Sequence, residues 1–290
     1  MTTSAPRWDL TNVYPSLESK EFKAAVEDYK DQVEVLSKFF RTKLSKADAK
    51  TPIKDLAALV GQAIDRINNI QTLSATIGPF IDSYVTTDSH DKVAARTLSE
   101  FEQASLPMNK LSTQFKAWLG RIAPKLEKVA KANKSAAAHE FMLNEAAQQS
   151  KYLMSDLEEG LAAEMSLSGG NLFGKLQGTI TSQLSVDFEL DGKTQKLPMP
   201  ALINLRSHPD EATRRRGYEA ENKVWDEIKE TLAACMNGVK GEAVTLNKRR
   251  GREDAVHSAL DAARIDRKTL TAMLEAMEDS FPMFRKYFKA

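Results

Sequence analysis

Apolar residues recur at intervals of three and four along most of this chain. Phe22, Val26, Tyr29, Val33, Leu36 and Phe40 form one stripe. Leu56, Val60, Ala63, Ile67 and Ile70 form a second that continues toward Tyr84. This is the period of helices with one buried face. Thr51 and Pro52 predict the start of the second helix: a capping hydroxyl, then a proline whose missing N–H costs nothing at the first helical position. The polar run 86–91 breaks the stripe. A third helix follows through Leu98, Phe101 and Leu111 to Trp118, with a kink or break at Pro107. Residues 125–138, rich in lysine and alanine, read as a short connection, and helical patterning resumes over 139–165.

The texture then changes. Residues 166–184 are rich in Gly, Ser and Thr, and read as a glycine-rich helix junction. Directly after them Val186, Phe188 and Leu190 alternate with Asp187 and Glu189, the period of a half-buried strand. Asp191-Gly192 is a two-residue hairpin turn, and the return strand runs to about Leu197, before Pro198. Ser207 to Glu211 signal another helix start, with a stripe of Tyr218, Glu221, Trp225, Ile228, Leu232, Cys235, Val239 and Leu246 that approaches forty residues. Asp266 and Thr269 start a last helix. Its stripe is Leu270, Met273, Leu274, Met277, Phe281, Phe284, Tyr287 and Phe288. No Gly, Asn or Pro follows to close it before Ala290, which reads as the front part of a longer protein. The expected fold class is mainly α: a lobe of long helices over 1–184, one short β-hairpin near 185–197, then further helices over 185–290.

Composition narrows the functional classes. The 290 residues are 42% apolar and 28% charged, enough to build a core. Net charge is +1, from 41 basic and 40 acidic residues, which argues against a general nucleic-acid or anionic-membrane binder. One cysteine, Cys235, allows no intrachain disulfide and fits a reducing cytoplasm. No apolar run resembles a signal peptide or a bilayer span. The expectation is a cytoplasmic protein with no nucleic-acid and no membrane partner.

The motifs that might carry chemistry each miss a component. His139-Glu140 begins a zinc-peptidase pair, but the second ligand position, four residues on, is Leu143. Glu253, His257 and Asp261 repeat every four residues, as polar helix faces commonly do. Asp88, His90 and Asp91 are explained by helix capping. The run from Gly169 to Lys175 nearly spells a phosphate loop, but Leu176 stands where Ser or Thr would hold magnesium, and no buried strand precedes it. Arg214-Arg215-Arg216 and 248–252 are basic clusters with acidic neighbours, best read as solvated faces. Cys235 reads as a small buried hydrophobe. No catalytic residue and no metal ligand is assigned.

Three segments together are more specific than any of these motifs. They are Arg7-Trp8-Asp9-Leu10 with Val13-Tyr14-Pro15; Ser168-Gly169-Gly170 through Leu184; and Arg214-Arg215-Arg216 with Tyr218, Glu219 and Trp225, on to 246–251. In this order and spacing the chain resembles the N-terminal half of the oligoendopeptidase F family of zinc metallo-oligopeptidases, relatives of thimet oligopeptidase. The stretch from Ile265 to Phe288 is similar to that family as well. The resemblance implies a two-lobed helical metalloendopeptidase whose deep groove admits short peptides. It implies a zincin-type catalytic domain, begun here by 185–290, and a zinc ion held by a His-Glu-x-x-His helix and a further glutamate. Zinc polarises the scissile carbonyl and bound water, and the motif glutamate acts as base. None of those motif positions occurs here, so no zinc is expected on this chain and it is expected to be inactive alone. Its expected partners are short peptides and a separate C-terminal catalytic half. The alternative is a noncatalytic helical peptide-binding module, or one half of a split peptidase. Val186, Phe188 and Leu190 are the candidate substrate-groove residues, since hairpin edges can pair with extended peptides.

Overall fold

The computed structural model describes residues 8–290, so Arg7 of the opening motif lies outside the described residues. Helix α1 (Lys20–Thr42) begins where the Ser19 hydroxyl accepts from the Phe22 N–H, and it buries Phe22, Tyr29, Val33, Leu36, Phe39 and Phe40. Helix α2 (Ile53–Thr87) starts one residue later than the sequence predicts. Pro52 is its N-cap and Thr51 does not cap it; the Thr51 hydroxyl instead accepts from the Asp48 N–H, closing the preceding turn. Helix α3 (Lys92–Ile122) is capped by Asp91, which takes the Val93 and Ala94 amides, and it carries Pro107 within its length. The three helices bury a continuous core around Leu56, Ile64, Ile77, Trp118 and Leu119. The buried Trp118 indole N–H donates to the Ala47 carbonyl at 2.8 Å, tying α3 to the loop after α1.

The expected connection over 125–138 is instead two short helices, α4 (Leu126–Ala132) and α5 (Lys134–Ala138). Leu126, Val129 and Ala136 are buried in the same core, and that burial outweighs the polar composition. The stripe over 139–165 divides as well. Helix α6 (Glu140–Gln149) stops, and α7 (Asp156–Ser168) restarts on a capping box in which Ser155 and Glu158 satisfy each other's amides. Ser-x-x-Glu at 155–158 is the signal that could have located this break. The glycine-rich stretch is itself helical: α8 spans Gly170–Gln183, with no buried residue.

The hairpin follows as expected, β1 (Ser185–Leu190) antiparallel to β2 (Lys193–Pro198), with Leu190 opposite Lys193. Asp191 and Gly192 both have positive φ, 52° and 71°, the backbone a type I′ turn requires. Then come α9 (Met199–Asn204) and α10 (Glu211–Arg249), 39 residues long as the stripe predicts, with Asp210 capping the Thr213 amide at 2.7 Å.

The chain forms two compact units, one ending at Val239 and the other comprising Lys240–Ala290. In the second unit, α11 (His257–Ala263) ends at Arg264 in the left-handed conformation. Asp266 then caps α12 (Arg267–Lys289) through the Thr269 amide. None of α12's side chains is buried, and Phe281, Phe284, Tyr287 and Phe288 of its stripe are exposed. Among the described residues these elements bear out the mainly α expectation with a single hairpin.

Candidate functional site

The hairpin owes its position to one small apolar cluster. Alternation puts Val186, Phe188 and Leu190 on one face of β1. Phe188 is buried against Met199, Leu202, Leu205 and Val224, with Val186, Leu190 and Leu197 half-buried around it. The Arg216 guanidinium lies 5.6 Å from the centre of the Phe188 ring, within cation–π range.

A polar node anchors the same cluster. Glu221, on α10, is 5% exposed. Its carboxylate accepts from Arg206 Nη2 at 2.5 Å, from Arg206 Nε at 3.1 Å and from Trp225 Nε1 at 3.1 Å. Burial pushes the Glu221 carboxyl up, but the Trp225 and Arg206 hydrogen bonds and the guanidinium charge outweigh it, and the net shift is downward. Glu221, read from the sequence only as part of a stripe, therefore fixes the turn after α9 onto α10.

The outer edge of β1 is unoccupied by strand. Leu190 and Lys193 flank a two-residue loop, so they exchange hydrogen bonds, as do Phe188 with Gln195 and Val186 with Leu197 in this register. The backbone groups of Asp187 and Glu189 consequently point away from β2. Among the described residues no third strand pairs with the hairpin. The apolar side chains of β1 are thus engaged in packing, while the backbone groups of Asp187 and Glu189 lie on the edge that no strand covers.

The other candidates resolve into structural roles. His139 Nδ1 lies 2.9 Å from the Ser135 carbonyl, and Nε2 lies 3.3 Å from the Asn68 amide, so both ring nitrogens are engaged. Leu143, in the place of a second ligand, is buried in the core. Glu253 pairs with Arg267, and Asp261 with Arg252, while the Glu253 N–H donates to His257 Nδ1. Asp88 takes the His90 amide and Asp91 caps α3. Lys175 pairs with Glu102 inside a helix rather than closing a loop. Arg214 donates to the carbonyls of His208 and Pro209, and Arg215 pairs with Glu211 at 3.8 Å. Among the described residues no group of three or more His, Cys, Asp or Glu is placed to hold a metal. The donor set of this chain does not fit the zinc site that its resemblance implies. Among the described residues no helix is long and apolar enough to cross a membrane.

Comparison with known proteins gives two findings. Residues 123–185 match the family model described as Oligopeptidase F, the N-terminal peptidase M3 region. The fold matches the crystal structure of oligoendopeptidase-F from Enterococcus faecium with a TM-score of 0.77, at 11% identity, over 92% of this chain. The chain spans about half of that structure, covering 52% of it. No curated protein sequence matches. The two findings bear out the resemblance to the oligoendopeptidase F family, as its N-terminal part.

Proposed function

We propose that this chain is the N-terminal portion of an oligoendopeptidase F-like zinc metalloendopeptidase, acting on short peptides in the cytoplasm. The observation that carries the reading is the pairing of a family match over 123–185 with a fold shared over 92% of the chain but only 52% of the matched enzyme. In this reading the helical lobe, 1–184, walls a groove. The segment 185–290 opens the catalytic domain, and the zinc ligands and general base lie in sequence beyond these residues. The chain's own contribution is to bind and orient. The outward amides and carbonyls of Asp187 and Glu189 pair with an extended peptide. Val186 and Leu190 border that edge, and Phe188 holds the strand in place from beneath. The chain by itself does not hydrolyse peptides.

The exposed stripe of α12 supports a separate catalytic half as partner. Phe281, Phe284, Tyr287 and Phe288 are 46–78% exposed, and each large side chain left in water forgoes about 1.5–3 kcal/mol of burial. Metal analysis and a quenched-fluorescence peptide assay on the 290-residue chain, and on the same chain extended by any downstream reading frame, test the proposal. Zinc at one equivalent with turnover is expected from the extended polypeptide only. Turnover by the 290 residues alone, or an extension with no His-Glu-x-x-His segment, refutes it.

A further inference from the structure

Away from the hairpin, the N-terminal unit holds a cavity of about 610 Å³ between the end of α1, the end of α3 and the start of α7. Phe40, Leu44 and Trp118 form its apolar floor. Arg41 and Arg121 line it from the last turns of α1 and α3, and Asp156 lines it from the first turn of α7. In the adjoining cleft between α3 and α7, Lys110 pairs with Glu164 at 2.5 Å. Among the described residues, neither the Arg41 nor the Arg121 guanidinium has an ion-pair partner, and Asp156 forms no pair with them.

We propose that this cavity binds the terminal carboxylate of a peptide with an apolar last residue. Two guanidiniums against one carboxylate leave the lining with a formal charge of +1. That excess balances a single carboxylate; a phosphate dianion would leave it overfilled. Guanidinium groups suit the planar oxygens of a carboxylate, which accept forked hydrogen bonds. Phe40, Leu44 and Trp118, packed into the core, close the bottom of the cavity beside them. A second cavity of about 330 Å³ shares Gln114 and Asp156 with the first and runs between α3 and α7 past Leu157 and Leu161. Those leucines are 87% and 58% exposed, and with Lys110, Glu159 and Glu164 they give the preceding residues of the peptide a mixed apolar and charged wall. The choice of a peptide over another carboxylate rests on the peptidase reading. The anion site itself rests on the cavity. Arginines in the last turns of α1 and α3 also complement the helix dipoles, a role that requires no ligand.

Binding without cleavage separates these roles. The probe is a fluorescent hexapeptide ending in leucine, as the free acid and as the C-terminal amide, titrated into the 290-residue chain. The free acid is expected to bind at least about tenfold more tightly than the amide, the factor set by a charge-assisted hydrogen bond. Arg41→Gln and Arg121→Gln, each melting as the parent does, are expected to abolish that difference, and Lys128→Gln on α4 to leave it intact. Inorganic phosphate is expected to compete poorly. Equal binding of acid and amide, no binding of either, unchanged binding by both arginine variants, or displacement by phosphate at peptide concentrations overturns the proposal. Because no hydrolysis is measured, any of these results leaves the peptidase reading standing. A failure of cleavage by the extended polypeptide leaves the carboxylate site standing.

Discussion

Gly238→Ala is the sharpest test of how α8 is held. An ideal Cβ on Gly238 would lie 2.2 Å from Phe173 Cδ2, and 2.6 Å from both Cε2 and Cγ. Because Cγ is among the atoms approached, the whole ring must move rather than its tip. In an exposed helix the same substitution would stabilise by about 1 kcal/mol through helix propensity. Here it meets about 1–3 kcal/mol of overpacking. Phe173 is half-buried, so displacing its ring forfeits roughly half of the burial value of a phenylalanine, about 1 kcal/mol more. The expected net effect is a destabilisation of about 1–3 kcal/mol. In a Phe173→Ala background the clash is gone, and Gly238→Ala should stabilise by about 1 kcal/mol. The sign therefore reverses between backgrounds, with a coupling of about 2–4 kcal/mol. Urea unfolding followed by circular dichroism, with hydrogen exchange along α10, measures all four corners of the cycle. Stabilisation by the same amount in both backgrounds would refute the close approach of Phe173 to α10.

Glu221→Gln keeps an acceptor for Trp225 but loses the charge facing Arg206, and should cost about 1–2 kcal/mol at pH 7. Because the folded carboxyl titrates below its unfolded value, its stabilisation is full above the unfolded pKa of about 4.3 and is lost as pH falls through the lower folded value. Urea midpoints between pH 7 and pH 3 should fall less steeply in Glu221→Gln than in the parent; parallel slopes would count against the node. Trp118→Phe leaves the Ala47 carbonyl without its buried donor and should cost about 1–3 kcal/mol, read as a lowered thermal midpoint. Leu56→Ala, at a fully buried position, should cost about 2–5 kcal/mol, whereas Phe284→Ala on the exposed face of α12 should stay within about 0.5 kcal/mol. Amides of α12 should exchange faster than those of α2, and slower exchange in α12 would mean that its apolar face is covered in solution.

The amino-acid sequence by itself determined the elements whose signal is local. The stripe from Phe22 to Phe40 specifies α1, and Asp191-Gly192 specifies the hairpin and its register, because turn type and strand period need no distant partner. Residues 125–138 misled because their composition is polar while Leu126, Val129 and Ala136 meet a core assembled from other segments. Gly170–Gln183 read only as a glycine-rich junction for the same reason: its helix is held from outside, by Lys175 on Glu102 and by Phe173 against Gly238. The site divides along the same line. Val186, Phe188 and Leu190 were legible as one face, but only tertiary packing decided that this face turns inward and the backbone edge outward. Arg41, Arg121 and Asp156 lie far apart along the chain, and no periodicity joins them. Their shared cavity exists because α1, α3 and α7 end or begin beside one another, and proximity between distant segments is a property of the folded core rather than of any stretch of sequence.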